Sequence, residues 1–411
     1  MRILVIHKYM VGQFRVLIQW LGESPRNRVV CLGQVAGPEA AGLEGDRVRF
    51  IFYSPQAEEF GREGFGARFQ QDLARAGEIV VQMQGLRRSG FVPDVILAHS
   101  GWGEPLFCKE MFPEVPLIGY FEHFYHPDGR GSDFFPEYPL SLEARCLLRS
   151  YNAGQLLNLV DCDAGVSPTA WQRSGFPREL QGKIQQIHEG VDLDWFKPAR
   201  DVAVDLGNGI TLGADAEVIT YVSRSLEPFR GFPQFLQAVA RLQRRRPRLQ
   251  VLVAGNDEVT YSPPLPNGLS YREQLCRELD LDLSRIHFLG WLRGDAYRRL
   301  LQVSSAHVYL TPPFVLSWSM VEAMAAGCVV VASATAPVQE VIRDGENGLL
   351  FDFFAPEQLA DAVEAVLDHP RRRRDLGLRA RQQVARHYDV KQSIACYRRL
   401  LEGLTGLVTG L

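Results

Sequence analysis

Short runs of aliphatic and β-branched residues alternate with helical patterns along this chain, in two separate series, and few folds accommodate that. The first series comprises Ile3 to His7, Val29 to Leu32, Val48 to Phe52, Val95 to His99, Leu117 to Glu122, Ala164 to Val166 and Lys183 to Ile187. Helical patterns begin near Gln13, cover Ala67 to Leu86 and run as one long helix over Leu142 to Leu159. The second series is Val218 to Val222, Leu249 to Ala254, Ile286 to Leu289, Ala306 to Leu310, Val329 to Ala332 and Leu349 to Phe351. Strands that alternate with helices in this way form mostly parallel sheets with crossover helices on their faces. The expected fold class is therefore α/β, with two Rossmann-like doubly wound domains facing across a cleft lined by the carboxyl ends of both sheets.

The pattern breaks at Glu189 to Pro198 and stays irregular over Ala199 to Ala216. This places an N-terminal domain over 1–190 and a second domain over 191–388. The end of the chain reads as helices over Pro356 to His369, Arg371 to Tyr388 and Val390 to Leu404, the segment 389–411 being a helix expected to cross back to the first domain. A length of 411 residues with 46% hydrophobic content gives each domain enough material for its own core, and a net charge of −3 lacks the basic excess of a nucleic-acid binder. Seven scattered cysteines without CxxC spacing indicate neither a disulfide framework nor a zinc site. They fit a reducing compartment. The apolar run Ile3 to Ile6 is too short for a signal peptide, and no stretch reaches the roughly 20 apolar residues of a membrane helix. These observations together place the protein in the cytoplasm.

The segment Phe314 to Phe351 reads as loop, helix, buried strand, helix and strand. Ser317 is positioned to cap a helix over Trp318 to Ala326, whose free N–H groups and positive dipole end seat a phosphate. Glu322 supplies a carboxylate within that helix, Gly327 ends it, and Cys328 to Ser333 is a continuous apolar run suited to a strand covered on both faces. Arg224 and Arg230 follow the first strand of the second series, and two guanidinium groups there match a diphosphate by paired hydrogen bonds. Loop arginines by themselves also read as solvated. Gly12 and Gln13, Gly255 and Asn256, and Gly290, Trp291 and Leu292 occupy further strand-end loops, where small residues admit backbone amides to a ligand but also simply make turns.

Beyond the strand Leu117 to Phe121 the sequence sets Glu122, His123 and His126 among aromatic residues, and His99 ends another strand. Titratable groups so embedded are candidates for acid–base work or for structural hydrogen bonds. No metal-ligand set and no GxSxG or Cys/His signature is present. The arginine runs Arg244 to Arg246 and Arg371 to Arg374 sit at helix ends, where the macrodipole and solvation account for them, with contact to an anionic membrane as the alternative.

In combination these features resemble the family-4 retaining glycosyltransferases of the GT-B type, a bacterial subgroup in particular. Three segments carry the resemblance: Lys183 to Pro198, Arg224 to Gly231 and Phe314 to Phe351, supported by GQFR at Gly12 to Arg15 and by YFEHFYHP from Tyr120. The resemblance implies a GT-B architecture and transfer of a sugar from a nucleotide-diphosphate donor to a hydroxyl acceptor, with retention of configuration. The acceptor would be a glycan, a lipid-linked carrier or another bacterial hydroxyl, and the arginine runs are where a peripheral contact with the inner membrane surface would be made. It implies no cofactor beyond the nucleotide sugar as co-substrate, no metal, and no nucleic acid. Arg224 and Arg230 would hold the donor diphosphate with the amides around Leu316, Ser317, Trp318 and Ser319, Glu322 the ribose, and Gly290 to Leu292 the base. Gly12, Gln13, Gly255 and Asn256 would complete the donor contacts. The family's histidine near the donor sugar corresponds here to Glu122 or His123, with Glu122 favoured and His123 and His99 next. Chemistry would be same-face attack, with Arg224, Arg230 and the helix start stabilising the leaving diphosphate.

The chain departs from the pattern where the first of two family glutamates is replaced by Phe314, and where a glycine is replaced by Ser317. That departure concerns the donor sugar. The alternatives are a nucleotide-sugar epimerase or hydrolase on the same fold, or a non-catalytic nucleotide-sugar-binding subunit.

Overall fold

The computed structural model describes residues 1–37, 40, 42–54, 64–199, 201–207, 209–213 and 215–410. The chain divides into two compact units, one of Met1–Gly190 with Val390–Leu411 and the other of Val191–Asp389.

In the first unit the strands are β1 (Arg2–Ile6), β2 (Tyr9–Met10), β3 (Arg28–Gly33), β4 (Val35–Ala36), β5 (Val48–Phe52), β6 (Val95–His99), β7 (Leu117–Tyr120), β8 (Ala164–Ser167) and β9 (Ile184–Gln186). Its helices are α1 (Arg15–Glu23), α2 (Ala67–Arg88), α3 (Cys108–Met111), α4 (Leu142–Ser150), α5 (Ala153–Asp161), α6 (Ala170–Arg173) and, from the far end of the chain, α14 (Val390–Thr405). Seven strands form one parallel sheet in the order β5-β3-β1-β6-β7-β8-β9. Successive connections leave β1 in opposite directions, so the order reverses between β1 and β6. Such a switch point opens a crevice at the carboxyl ends of the strands. The sheet is buried on both faces: Ile3, Val5, Leu97 and Ile118 belong to a core shared with α1 and α14, while Leu4, Ile6, Ile96 and Leu117 meet Ile79 and Met83 of α2.

The second unit holds β10 (Ala203–Asp205), β11 (Thr211–Gly213), β12 (Val218–Ser225), β13 (Gln250–Asn256), β14 (Ile286–Phe288), β15 (Ala306–Tyr309), β16 (Val330–Ser333) and β17 (Leu349–Phe351). Between and after them lie α7 (Phe232–Arg245), α8 (Tyr271–Glu278), α9 (Gly294–Val303), α10 (Trp318–Ala325), α11 (Ala336–Gln339), α12 (Pro356–Asp368) and α13 (Pro370–His387). Six strands pair in parallel in the order β14-β13-β12-β15-β16-β17, with the reversal between β12 and β15. The core is continuous from Val218, Leu252 and Val330 to Met320, Val321 and Met324 of α10 and Val384 of α13.

Three expectations are corrected. The long helix over Leu142 to Leu159 is two helices, because Asn152 turns its amide to Tyr125, accepting from the backbone N–H and donating to the carbonyl, each at 2.8 Å. The segment Ala199 to Ala216 contains the antiparallel ribbon β10-β11. Arg371 to Arg374 occupy the first turn of α13, where the dipole opposes a cation, so the macrodipole does not account for them. Arg244 to Arg246 do lie at a carboxyl end, and each is also ion-paired, to Asp280, to Asp361 and Glu364, and to Glu217 and Asp368 respectively. Among the described residues no helix is long and apolar enough to cross a membrane.

Candidate functional site

Each unit gathers polar side chains at its own switch point. In the first unit, His7 follows β1 and His99 ends β6, and both rings accept a backbone N–H two residues on. Tyr9 N donates to His7 Nδ1 and Gly101 N donates to His99 Nδ1, each at 3.0 Å. An Nδ1 that accepts leaves the proton of the neutral ring on Nε2, so both histidines present Nε2–H. His188, just past β9, is held by Gly190 N in the same way at 3.0 Å.

From His7 the polarity continues in a directed chain. Its Nε2–H donates to Gln13 Oε1 at 2.7 Å, which turns the Gln13 amide so that Nε2 donates to Glu122 Oε1 at 2.8 Å. His99 Nε2 stands 3.7 Å from the other carboxylate oxygen, Glu122 Oε2. Burial opposes the charge on Glu122, but the His99 ring and the Gln13 amide outweigh it and hold the carboxyl below its ordinary range. Burial, reinforced by the neighbouring His99, drives His7 down to about 3, so His7 is a neutral donor. Gly12 fits this corner because its φ is +50° and a Cβ there would lie 2.3 Å from the His7 ring. Trp102 stacks on His99 with centroids 4.3 Å apart, shielding it on one side.

The sequence left Glu122 and His123 as alternatives. Glu122 turns into this cluster. His123 instead packs edge-on to Tyr125, with centroids 5.0 Å apart, and burial lowers its pKa to about 4.

In the second unit Arg224 lies at the carboxyl end of β12 and Arg230 beyond it. Arg224 is exposed, and among the described residues neither guanidinium has a carboxylate partner, whereas Arg244, Arg245, Arg246, Arg272, Arg285, Arg298 and Arg299 all do. The Arg230 guanidinium instead sits among Phe229, Tyr261 and Phe314. Gly231 carries the turn at φ +70°, and a Cβ there would reach Leu310 at 2.4 Å. The start of α10 is fixed nearby, since Ser317 N donates to the Tyr309 hydroxyl at 2.9 Å. Ser317 occupies the N-cap position, but its side chain does not cap. Its hydroxyl bonds Ser319 Oγ at 3.0 Å, and the first-turn amides are left without a side-chain acceptor from Ser317.

Leu316 is anchored in the core and Trp318 is exposed. One helical turn further on, Glu322 accepts from the Tyr297 hydroxyl at 2.7 Å through Oε2. Burial raises this carboxyl to about 7, against which the Tyr297 bond works only in part. Gly255 and Gly290 adjoin, Gly255 N donating to Gly290 O at 2.9 Å, and a Cβ on Gly255 would meet Ser223 O at 2.5 Å. Asn256 closes β13 by accepting the Leu226 N–H through its carbonyl at 2.9 Å. Trp291 is exposed and Leu292 packs on the core.

Sequence reasoning missed His7, Tyr261, Tyr297 and Glu227. A His two residues before a strand-end Gly or Tyr is a signal for the first. Glu227, between the two arginines, was legible as a third charge. Tyr297 had no local signal. Among the described residues no three or more His, Cys, Asp or Glu side chains are grouped to hold a metal ion.

Comparison with known proteins divides the chain at nearly the same place. Residues 25–196 match the family described as glycosyl transferase family 4 group, and residues 210–383 match glycosyl transferases group 1. A D-inositol 3-phosphate glycosyltransferase of Nocardioides sp. is 28% identical over 264 residues, covering 60% of this chain and 51% of that protein. One of Mycobacteroides abscessus is 31% identical over 188 residues, covering 45% and 39%. The chain thus spans about half the length of the curated relatives it matches. Among solved structures, Anabaena HepE in complex with UDP-glucose superposes with a TM-score of 0.72 at 16% identity, covering 99% of this chain and all of that one. Sucrose-phosphate synthase of Thermosynechococcus elongatus gives 0.74 at 18% identity, covering 98% and 99%.

Proposed function

This chain belongs to the family-4 glycosyltransferases of the GT-B type, and from that premise we propose that it transfers a sugar from a nucleotide-diphosphate donor to a hydroxyl acceptor with retained anomeric configuration. The observation that carries the reading is the pair Arg224 and Arg230, two guanidinium groups at the switch point of the second sheet without carboxylate partners among the described residues. They retain full charge for an anion, and the uncapped start of α10 adds amide donors and a positive dipole end for the same group.

In this reading Arg224, Arg230 and the amides of Leu316 to Ser319 bind the donor diphosphate, and Glu322 accepts from the ribose hydroxyls. Gly255, Asn256 and Gly290 to Leu292 line the base side. As the sugar–oxygen bond breaks, charge grows on the leaving diphosphate, and groups already aimed there stabilise it without reorganising. Glu122, held ionised and oriented by Gln13 and His99, is an acceptor-only group at the switch point of the first unit. It is oriented to accept a hydrogen bond from a sugar hydroxyl, with His99 Nε2–H beside it. The acceptor is a glycan, lipid-linked or other bacterial hydroxyl. A cytoplasmic setting is supported by seven cysteines that are all free, and peripheral contact with the inner membrane surface by the exposed Arg371, Arg372 and Arg374.

Calorimetry with UDP, GDP, ADP and dTDP tests the reading, followed by NMR of the product formed from the corresponding nucleotide sugar. One diphosphate should bind, and the product should keep the donor's anomeric configuration. Failure of all four to bind, or an inverted product, would remove it.

A further inference from the structure

Three aromatic rings close around the Arg230 guanidinium, one from each of three adjacent strand ends. Phe229 follows β12, Tyr261 follows β13 and Phe314 follows β15, strands that lie side by side as β13-β12-β15. Arg230 Cζ is 5.0 Å from the Tyr261 centroid, 5.8 Å from Phe314 and 5.9 Å from Phe229. The rings also meet one another, Phe229 stacking on Tyr261 at 4.9 Å and Phe314 meeting each edge-on at 5.3 Å.

Buried polar structure fixes this arrangement. Glu227 has no exposed surface, and through Oε2 it accepts three successive backbone N–H groups, from Thr260 at 3.1 Å, Tyr261 at 3.0 Å and Ser262 at 2.8 Å. Phe229 N donates to Ser262 Oγ at 3.0 Å, and the Ser225 and Thr260 hydroxyls share a hydrogen bond of 2.6 Å. The loop after β13 is thereby clipped to the loop after β12, yet the Tyr261 it delivers stays 43% exposed. A ring held so firmly and left half open is a surface for a ligand to rest on.

The inference rests on the function proposed above. Along the loop into α10 the order is Phe314, then the amides of Leu316 to Ser319, then Glu322. With the diphosphate at the amides and the ribose at Glu322, the group on the other phosphate comes against Phe314 and its two neighbours. That group is the sugar to be transferred. The wall it meets consists of three ring faces around the Arg230 guanidinium, and Glu227, the carboxylate of the loop after β12, turns its Oε2 to backbone amides rather than to that wall. A hydroxyl pressed against a ring face loses water without gaining a partner there, whereas a methyl group gains contact.

We propose that Phe229, Tyr261 and Phe314 determine donor specificity, selecting a sugar with an apolar edge, the methyl of a 6-deoxy or an N-acetylated hexose, over its fully hydroxylated counterpart. The test is calorimetry on the full chain with matched pairs on whichever nucleotide binds, such as UDP-glucose against UDP-N-acetylglucosamine and dTDP-glucose against dTDP-6-deoxyglucose. The methyl-bearing member of at least one pair should bind about tenfold tighter, the scale of one unpaired buried hydroxyl. Phe314→Glu should erase or reverse that ratio, and Tyr261→Ala should shrink it. Reading the ratio within a pair removes any general loss of affinity, and the wild-type ratio stands even if a variant fails to fold. Equal binding of both members in every pair, or preference for the hydroxylated one, overturns the inference while leaving diphosphate binding intact. Absence of binding by any nucleoside diphosphate overturns the proposed function, and this inference with it.

Discussion

At Glu322, burial and a single phenol set the charge state, and two consequences of opposite sign follow. The carboxyl is raised from its ordinary 4.5 to about 7, so the folded protein keeps a proton that the unfolded chain releases. Its contribution to stability is therefore fully present below pH 4.5 and is lost as pH rises towards 7. Donor binding runs the other way, because only the ionised carboxylate accepts from ribose hydroxyls. About a tenth of it is ionised at pH 6 and about nine-tenths at pH 8, so nucleotide affinity should rise about ninefold across that range and stay flat in Glu322→Gln, as read by calorimetry. Arg224→Ala removes charge-assisted hydrogen bonds to the diphosphate worth about 1.5–3 kcal/mol, so the dissociation constant should rise by about 10- to 150-fold with the melting temperature unchanged. Arg224 is exposed, and surface substitutions of that kind usually change stability little.

At the scale of elements, the strands were legible because buried parallel strands leave continuous apolar runs, as Val330 to Ser333 does in β16. What was not legible depended on partners far away in sequence. Asn152 ends α4 by bonding a loop 27 residues earlier, and no local pattern announces that. The ribbon β10-β11 is too short to leave a period. In the candidate site, Gln13, His99 and Glu122 each stood at a strand end in the sequence, but the order of donors among them follows from Nδ1 of His7 and His99 accepting a backbone N–H, a matter of loop geometry. Turn chemistry also gives a test. Gly231→Ala demands a left-handed φ of +70° from a residue with a Cβ and drives that carbon to within 2.4 Å of Leu310. It should destabilise the protein by about 1–3 kcal/mol in urea denaturation, and it should weaken diphosphate binding further by displacing the adjoining Arg230.

For the whole molecule, the discontinuity of the first unit matters most. Tyr397, Leu400 and Leu401 of α14 are buried in the same core as Ile3, Val5 and Trp20, and Arg398 lies over the Trp20 ring at 5.5 Å. Two buried leucines and a buried tyrosine contribute about 1.5–3 kcal/mol each, a large share of the 5–15 kcal/mol typical of a domain. A chain ending at Asp389 should therefore lose or sharply lower the calorimetric transition of the first unit. The transition of Val191–Asp389 should persist, and it alone should rise when nucleotide is added.

The same discontinuity shapes how the chain is born. On the ribosome Val191–Asp389 can close as soon as it emerges, but the sheet begun by Arg2–Ile6 must wait for α14 with a greasy strip around Trp20 uncovered. At about 5–20 residues per second, translating the intervening stretch of roughly 200 residues takes on the order of 10–40 s, ample time for a chaperone, or an aggregate, to claim that strip first.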